Sequence, residues 1–257
     1  MSITFQYTRT KRLAVQMREL TLGQSITLCK LPDDKYEHQI TEFLRAVAAE
    51  ATTPTAEHVA DPRLWTVQER VMLVTKYLAQ VLTDGPDFSI GKGTVSQFLA
   101  LDQDLPAKSV DVGEVAGKRC IVRPLLGAHV EAMEGMCTTS GEWLRAAMAC
   151  QLFPAEQDAT HQTDWAGQSE HDIQKWISDR ITRIEALPAS DAVEMFEAWQ
   201  IGCDQLAHFM SISFDDKGIT VLPRARDDDG KEVGADVGPA RFLPAAGIGH
   251  AERRLAE

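Results

Sequence analysis

The chain has 257 residues, 44% of them apolar and 25% charged, and 38 acidic against 26 basic side chains give it a formal net charge of −12. Such a balance suits a soluble globular chain long enough to bury a sizeable core. It works against non-specific nucleic-acid binding, which needs phosphate-neutralising Lys and Arg, and against docking on an anionic membrane. No apolar run approaches the ~20 residues of a membrane span, and the opening residues lack the apolar stretch of a secretory signal. Five cysteines without a C-x-x-C pair, and no asparagine, fit a reducing compartment better than a disulfide-stapled secreted fold. These features predict assembly in a cytoplasm.

Residues 3–7 alternate apolar and polar and read as an edge strand. Thr21 and Gln24 make a capping box, opening a short helix that Pro32 stops. Asp33 or Asp34 can start the next helix, in which Tyr36, Ile40, Phe43, Leu44 and Val47 recur at helical spacing. Residues 52–62 form a polar connector with two prolines. Thr66 and Glu69 make a second capping box, followed by an apolar stripe of Val67, Val71, Val74, Leu78 and Val81. Residues 88–90 read as a short strand before a turn at 91–93. Residues 109–115 and 119–125 flank Ala116-Gly117-Lys118 as a hairpin.

A helix is predicted over 127–136, and Thr139 with Glu142 caps another through Trp143, Leu144, Ala147, Met148 and Leu152. Residues 155–168 are acidic, Gln-containing and aperiodic, the texture of a loop. Ser169 caps a helix with Ile173, Trp176, Ile177, Ile181 and Ile184 inward. Ser190 caps one with Val193, Phe196, Trp199, Cys203, Leu206 and Met210 on a single face. Residues 212–222 make a small hairpin. From Arg224 onward Gly, Pro and Ala recur without period, so this segment is expected to be an extended tail that cannot fold alone.

The residue types that carry chemistry are scattered. Residues 89–94 imitate a phosphate loop, but Pro86 stands where the first Gly belongs and Gly93 where Ser or Thr should follow Lys92. Cys29, Cys120, Cys137, Cys150 and Cys203 stand singly, and no histidine lies three to five residues from another, so no metal site is predicted. Cys137 at a helix start would gain a lowered thiol pKa, yet no base is placed beside it. Cys203 and His208 share a helix, but Cys203 falls in its apolar stripe. The carboxylate runs Asp215-Asp216 and 227–229 lack the glycine and glutamate of a calcium loop. No catalytic residue, cofactor or metal is assigned.

Glu19-Leu20-Thr21, Gly23 and Ile26, then Pro32, then Thr66, Glu69 and Arg70 ahead of the pair Tyr77-Leu78, form an ordered set over the first third of the chain. In order and spacing they resemble the baseplate-hub and tail-assembly chaperone family of contractile-tailed phages, the T4-type baseplate group. Gly141-Glu142-Trp143 and Arg145, at the start of a later helix, add a weaker likeness. The resemblance implies a non-enzymatic protein whose matching residues serve fold and interface.

The fold expected is α+β, predominantly α-helical with small antiparallel hairpins. It is divided into a helical region over 1–83, a mixed region over 84–154, a helical pair with a hairpin over 155–222 and an extended tail over 223–257. The function expected is a structural component of a phage or phage-like tail at the baseplate, hub or tail tip. It would be carried in the virion after assembly in the host cytoplasm, in a hetero-oligomer with other tail proteins and without nucleic acid or membrane. A tail-assembly chaperone, a small cytosolic enzyme and a bacterial regulatory adaptor are the alternatives. Phe242, Leu243, Ile248, Trp143 and Tyr77 are the interface candidates. Phe242 and Leu243 are expected to anchor the tail segment on a neighbouring subunit, leaving it open to protease near residues 227–230 in the free chain.

Overall fold

A computed structural model describes residues 4–52, 60–82, 84–157, 165 and 167–244. The fold is α+β and mostly helical, with short antiparallel strands in sheets of two or three. Strand β1 (Thr8–Arg9) pairs with β2 (Ala14–Met17), which pairs with β3 (Ala48–Thr52). The first strand lies just past the predicted stretch, because Phe5 is drawn into the core while Thr8 opposes Val15. Residue 3 is outside the described residues. β3 was not anticipated: α2 ends at Val47 and the chain continues directly as a strand along β2.

Helix α1 (Leu22–Leu28) begins at the predicted capping box, with Thr21 accepting from the Gln24 N–H and Gln24 answering to the Thr21 N–H. Helix α2 (Tyr36–Val47) starts at Lys35 without a side-chain cap from its own chain neighbours, not at Asp33 or Asp34. Its first free N–H groups are taken by a carboxylate from elsewhere, described below. Helix α3 (Val67–Val81) opens on the second predicted box, Thr66 with Glu69. It is buried on more than its apolar stripe: Glu69, Arg70, Met72, Leu73 and Thr75 are interior as well. α3 is therefore a central helix, wrapped on several sides, whose polar residues need partners in the interior.

A small hairpin, β4 (Ser89–Ile90) with β5 (Gly93–Thr94), precedes the hairpin β6 (Val110–Val115) and β7 (Lys118–Val122). The β6–β7 turn uses Ala116 and Gly117, both at positive φ, which matches the right-handed strand twist. β7 pairs onward with β8 (Leu152–Pro154), directly after α5 (Ser140–Gln151). Helix α4 (Gly127–Glu134) precedes α5, whose Thr139–Glu142 capping box forms as predicted. Ser169 caps α6 (Glu170–Glu185) through the Asp172 N–H. Ser190 caps nothing: α7 (Ala189–Leu206) starts at Pro188, and Val193 faces solvent instead of the core. β9 (Ser211–Asp215) and β10 (Gly218–Leu222) then form the last hairpin.

Among the described residues the buried apolar side chains form two clusters. One gathers residues from Phe5 to Leu99 and, from the far end of the chain, Phe209, Met210, Val221, Val237, Ala240 and Phe242. The other is built from β6, β7 and helices α4 to α7, with Trp143 and Ile177 near its centre. The segment from Arg224 onward corrects the expectation of an extended tail as far as Pro244. Val221 and Ala240 exchange backbone hydrogen bonds of 2.8 and 3.0 Å, and the Phe242 ring meets Phe98 edge-on at 5.8 Å. The apolar residues of this segment have little period, but they dock on their own chain.

Candidate functional site

The interface candidates Tyr77, Trp143 and Phe242 lie in the interior. Tyr77 is 3% exposed, stacked on Phe5 at 4.9 Å and edge-on to Phe43 at 5.0 Å, so its ring is interior. Trp143 is 1% exposed and stacks on Phe214. Phe242 is 4% exposed, and Leu243 beside it lines a crevice with Tyr36, Ile40 and Val71 of the same chain. The three rings present no free surface to a neighbour, because a large aromatic ring at helical or strand spacing is worth more to its own core, while Leu243 is half-buried. Ile248 lies outside the described residues. The expected anchoring of Phe242 and Leu243 on a second subunit is replaced by packing within this chain.

Two constellations that the sequence did not reveal emerge instead. The first is a buried ionic network where α2, α3 and α4 meet. Arg70 of α3 donates through Nη2 to the Glu37 carbonyl at 2.7 Å and to Thr41 Oγ1 at 2.8 Å, while its Nη1 stands 3.6 Å from the Glu37 carboxylate. Glu131 of α4 accepts from Thr41 and faces Arg63 Nε at 3.6 Å. Glu134, on the last turn of α4, accepts the Glu37 N–H at 2.8 Å and the His38 N–H at 3.2 Å, closing the open end of α2. Burial raises the Glu37 carboxyl, against the pull of Arg70. Burial likewise pushes Glu134 up to about 7, with the backbone N–H bonds acting the other way. One local signal was legible: acidic residues at a helix C-terminus oppose the helix dipole, so Glu131 and Glu134 answer to something outside α4. The network joins three helices and is a structural bolt. Among the described residues only the shallow crevice beside Leu243 borders it, at Glu37.

The second is a surface cleft of about 640 Å³ between α7 and the β9–β10 hairpin. Its apolar lining comes from Val67, Leu125, Leu144, Trp199, Leu206 and Met210. Four consecutive residues of β9, Ser211 to Phe214, form one wall, so the strand presents its edge to the cleft as well as one face. The floor is fixed by Gln151, buried at the end of α5. Its Nε2 donates to the Arg123 carbonyl at 2.9 Å, and its Oε1 accepts from Trp199 Nε1 at 3.2 Å and from Cys203 Sγ at 3.7 Å. Sequence reading placed Trp199, Cys203 and Leu206 on one inward face, which holds. It missed that Ile201 and Asp204 form the outer lip, because that depends on where the hairpin comes to rest.

The cysteine and histidine candidates are not assembled into chemistry. All five cysteines are free. Cys137 does not gain the lowered pKa expected at a helix start: burial and the Glu142 carboxylate push it up to about 12. Burial and Asp204 likewise push Cys203 up to about 12. His129, enclosed by Trp165 and Trp176, is pushed down to about 3 by burial and Arg180, and stays neutral. His208 packs beside Phe209 with its Nδ1 2.8 Å from the Leu206 carbonyl, while the Cys203 thiol is bonded to Gln151. Among the described residues no group of three or more His, Cys, Asp or Glu side chains is arranged to hold a metal ion.

The residues that carry the phage-tail likeness converge. Thr66 and Glu69 cap α3, Glu69 turns its other oxygen to Arg12 at 3.5 Å, and Arg70 holds the ionic network. Tyr77 Oη accepts the Leu20 N–H at 3.1 Å, tying the α1 stretch to α3. On α1 itself Leu22 and Ile26, one turn apart, are 54% and 48% exposed. Comparison with known proteins adds nothing to this picture: no family model, curated protein or solved structure matches the chain.

Proposed function

We propose that this chain is a non-enzymatic structural subunit of a bacteriophage or phage-like tail, seated at the baseplate, hub or tail tip among other tail proteins. The observation that supports it best is the Leu20–Tyr77 hydrogen bond, which unites in one packed unit the two separate stretches that carry the likeness. Within that unit Thr21, Thr66, Glu69, Arg70 and Tyr77 all have structural partners, as the residues of a non-catalytic family would. The raised thiols of Cys137 and Cys203 agree with packing roles rather than nucleophilic ones. The unpartnered apolar pair Leu22 and Ile26 gives the unit a small sticky face for a neighbouring subunit.

Mass spectrometry of purified particles tests this reading. The chain is expected in intact particles, and the double variant Leu22→Asp/Ile26→Asp is expected to keep its melting temperature while its incorporation falls several-fold. Presence in the lysate but never in particles would select the tail-assembly chaperone instead. Absence of any phage context for the chain would overturn both.

A further inference from the structure

The cleft beside α7 has one wall that asks for a particular kind of occupant. The backbone N–H and C=O of Val221 are both used by Ala240, on the side of β10 away from β9. Val221 opposes Ile212, so this is a pair that exchanges no hydrogen bonds across the hairpin. The alternation of an antiparallel ladder then fixes the rest. Asp215, Ser213 and Ser211 bond across to β10, while Ile212 and Phe214 aim their N–H and C=O groups away from it. Ile212 and Phe214 both line the cleft, and among the described residues neither has a backbone partner on that side. An open strand edge thus borders an apolar trough whose far wall is a helix.

Charge narrows the choice further. The charged side chains that line the cleft are Glu197 and Asp204, both exposed on α7, and no Lys, Arg or His stands among its lining residues. We infer that this cleft is a docking site for an extended, Lys- or Arg-bearing peptide segment of a partner protein. The segment adds as a strand to β9 through Ile212 and Phe214, sets alternate apolar side chains on Leu125, Leu144 and Leu206, and places its basic residues against Glu197 and Asp204. Strand addition supplies the affinity through the main chain and the trough supplies the selectivity. This site does not depend on the tail assignment, and its test uses no particle.

The test measures binding of a fluorescent heptapeptide, Lys-Val-Thr-Val-Thr-Val-Lys, to the full chain. The same measurement is made with a peptide carrying Glu at both ends. Saturable binding of the Lys-flanked peptide with a clear preference over the Glu-flanked one is expected. Ile212→Pro removes an outward N–H without touching a bond to β10, and Pro is tolerated on a strand edge. It should weaken the Lys-flanked peptide by about fivefold to tenfold, the worth of a main-chain hydrogen bond. Glu197→Lys/Asp204→Lys, at exposed positions that leave the core alone, should reverse the preference between the two peptides, which covers the case in which the proline variant fails to fold. Absence of saturable binding, or affinity unmoved by both variants, overturns the inference. So does dimerisation of the chain that the charge-reversal variant abolishes, which would make a second copy the occupant. A chain ending at Pro244 that binds the peptide about tenfold more tightly would give the cleft to this protein's own C-terminal residues, and would also overturn it.

Discussion

Glu134 does work for a helix that is not its own. It accepts the Glu37 and His38 N–H groups in the first turn of α2, a position where an anion is favoured by the helix dipole, yet burial outweighs those bonds and lifts its carboxyl from the usual 4.5 to about 7. The native state therefore holds this proton more tightly than the unfolded chain does. Its contribution to stability is fully present below pH 4.5 and is lost as the pH rises through about 7. At about 1.4 kcal/mol for each pH unit, that loss is on the order of 3 kcal/mol. Burial raises Glu37 as well, so it acts with the same sign. Urea unfolding at pH 5 and pH 8 should show wild type losing stability across this interval, and Glu134→Gln, which keeps an acceptor for α2 but no titration, should lose about 2–3 kcal/mol less. Identical pH slopes for the two proteins would mean that Glu134 ionises like an ordinary surface carboxyl.

Among the elements, α7 owes its close seat on the sheet to a single residue. Gly202 faces β6 and β7 so closely that a Cβ there would lie within the van der Waals envelope of Val122 and 3.0 Å from Val112 Cγ1. Both valines are on the sheet, so the helix must lift. Gly202→Ala should cost about 1–3 kcal/mol by overpacking, despite alanine's better helix propensity, which on its own would predict a gain of about 1 kcal/mol. Thermal unfolding decides the sign. Because α7 forms a wall of the cleft, the same variant should change the environment of Trp199, visible in its fluorescence. The sequence pointed to the helix but not to this contact. A glycine inside a helical period reads as a weakness until the opposing sheet is known.

At the scale of the whole molecule, the chain closes its N-terminal core with its C-terminal segment. Phe242, Ala240 and Val237 join the cluster built around α2 and α3, and Arg241 reaches back to Asp215 and to the Ile219 carbonyl. Phe242→Ala should therefore destabilise the isolated chain by about 3–5 kcal/mol, as truncation of a buried aromatic does. Limited proteolysis of the free protein should find residues 232–244 resistant. Had this segment been an arm awaiting a partner, the substitution would leave the melting temperature of the free chain unchanged and the segment would be cut early.

The chain's own sequence determined the features that depend on neighbours three or four residues apart. The boxes at Thr21, Thr66 and Thr139, the Ser169 cap, the apolar stripes of α2 and α6 and the Ala116-Gly117 turn are all set by such local spacing. For the same reason the mostly helical α+β class was legible. What the tertiary structure decided involves partners far apart in the chain. Glu134 caps a helix 97 residues away, Ala240 occupies the outer edge of β10, and Phe242 seals against Phe98. No periodicity encodes such encounters, because they arise only when packed elements bring unsatisfied backbone groups and apolar surfaces within reach. The free edge of β9 and its acidic lip belong to this second kind: hydrogen bonding across β9 and β10 leaves the edge open, and the resting place of α7 turns it into a cleft.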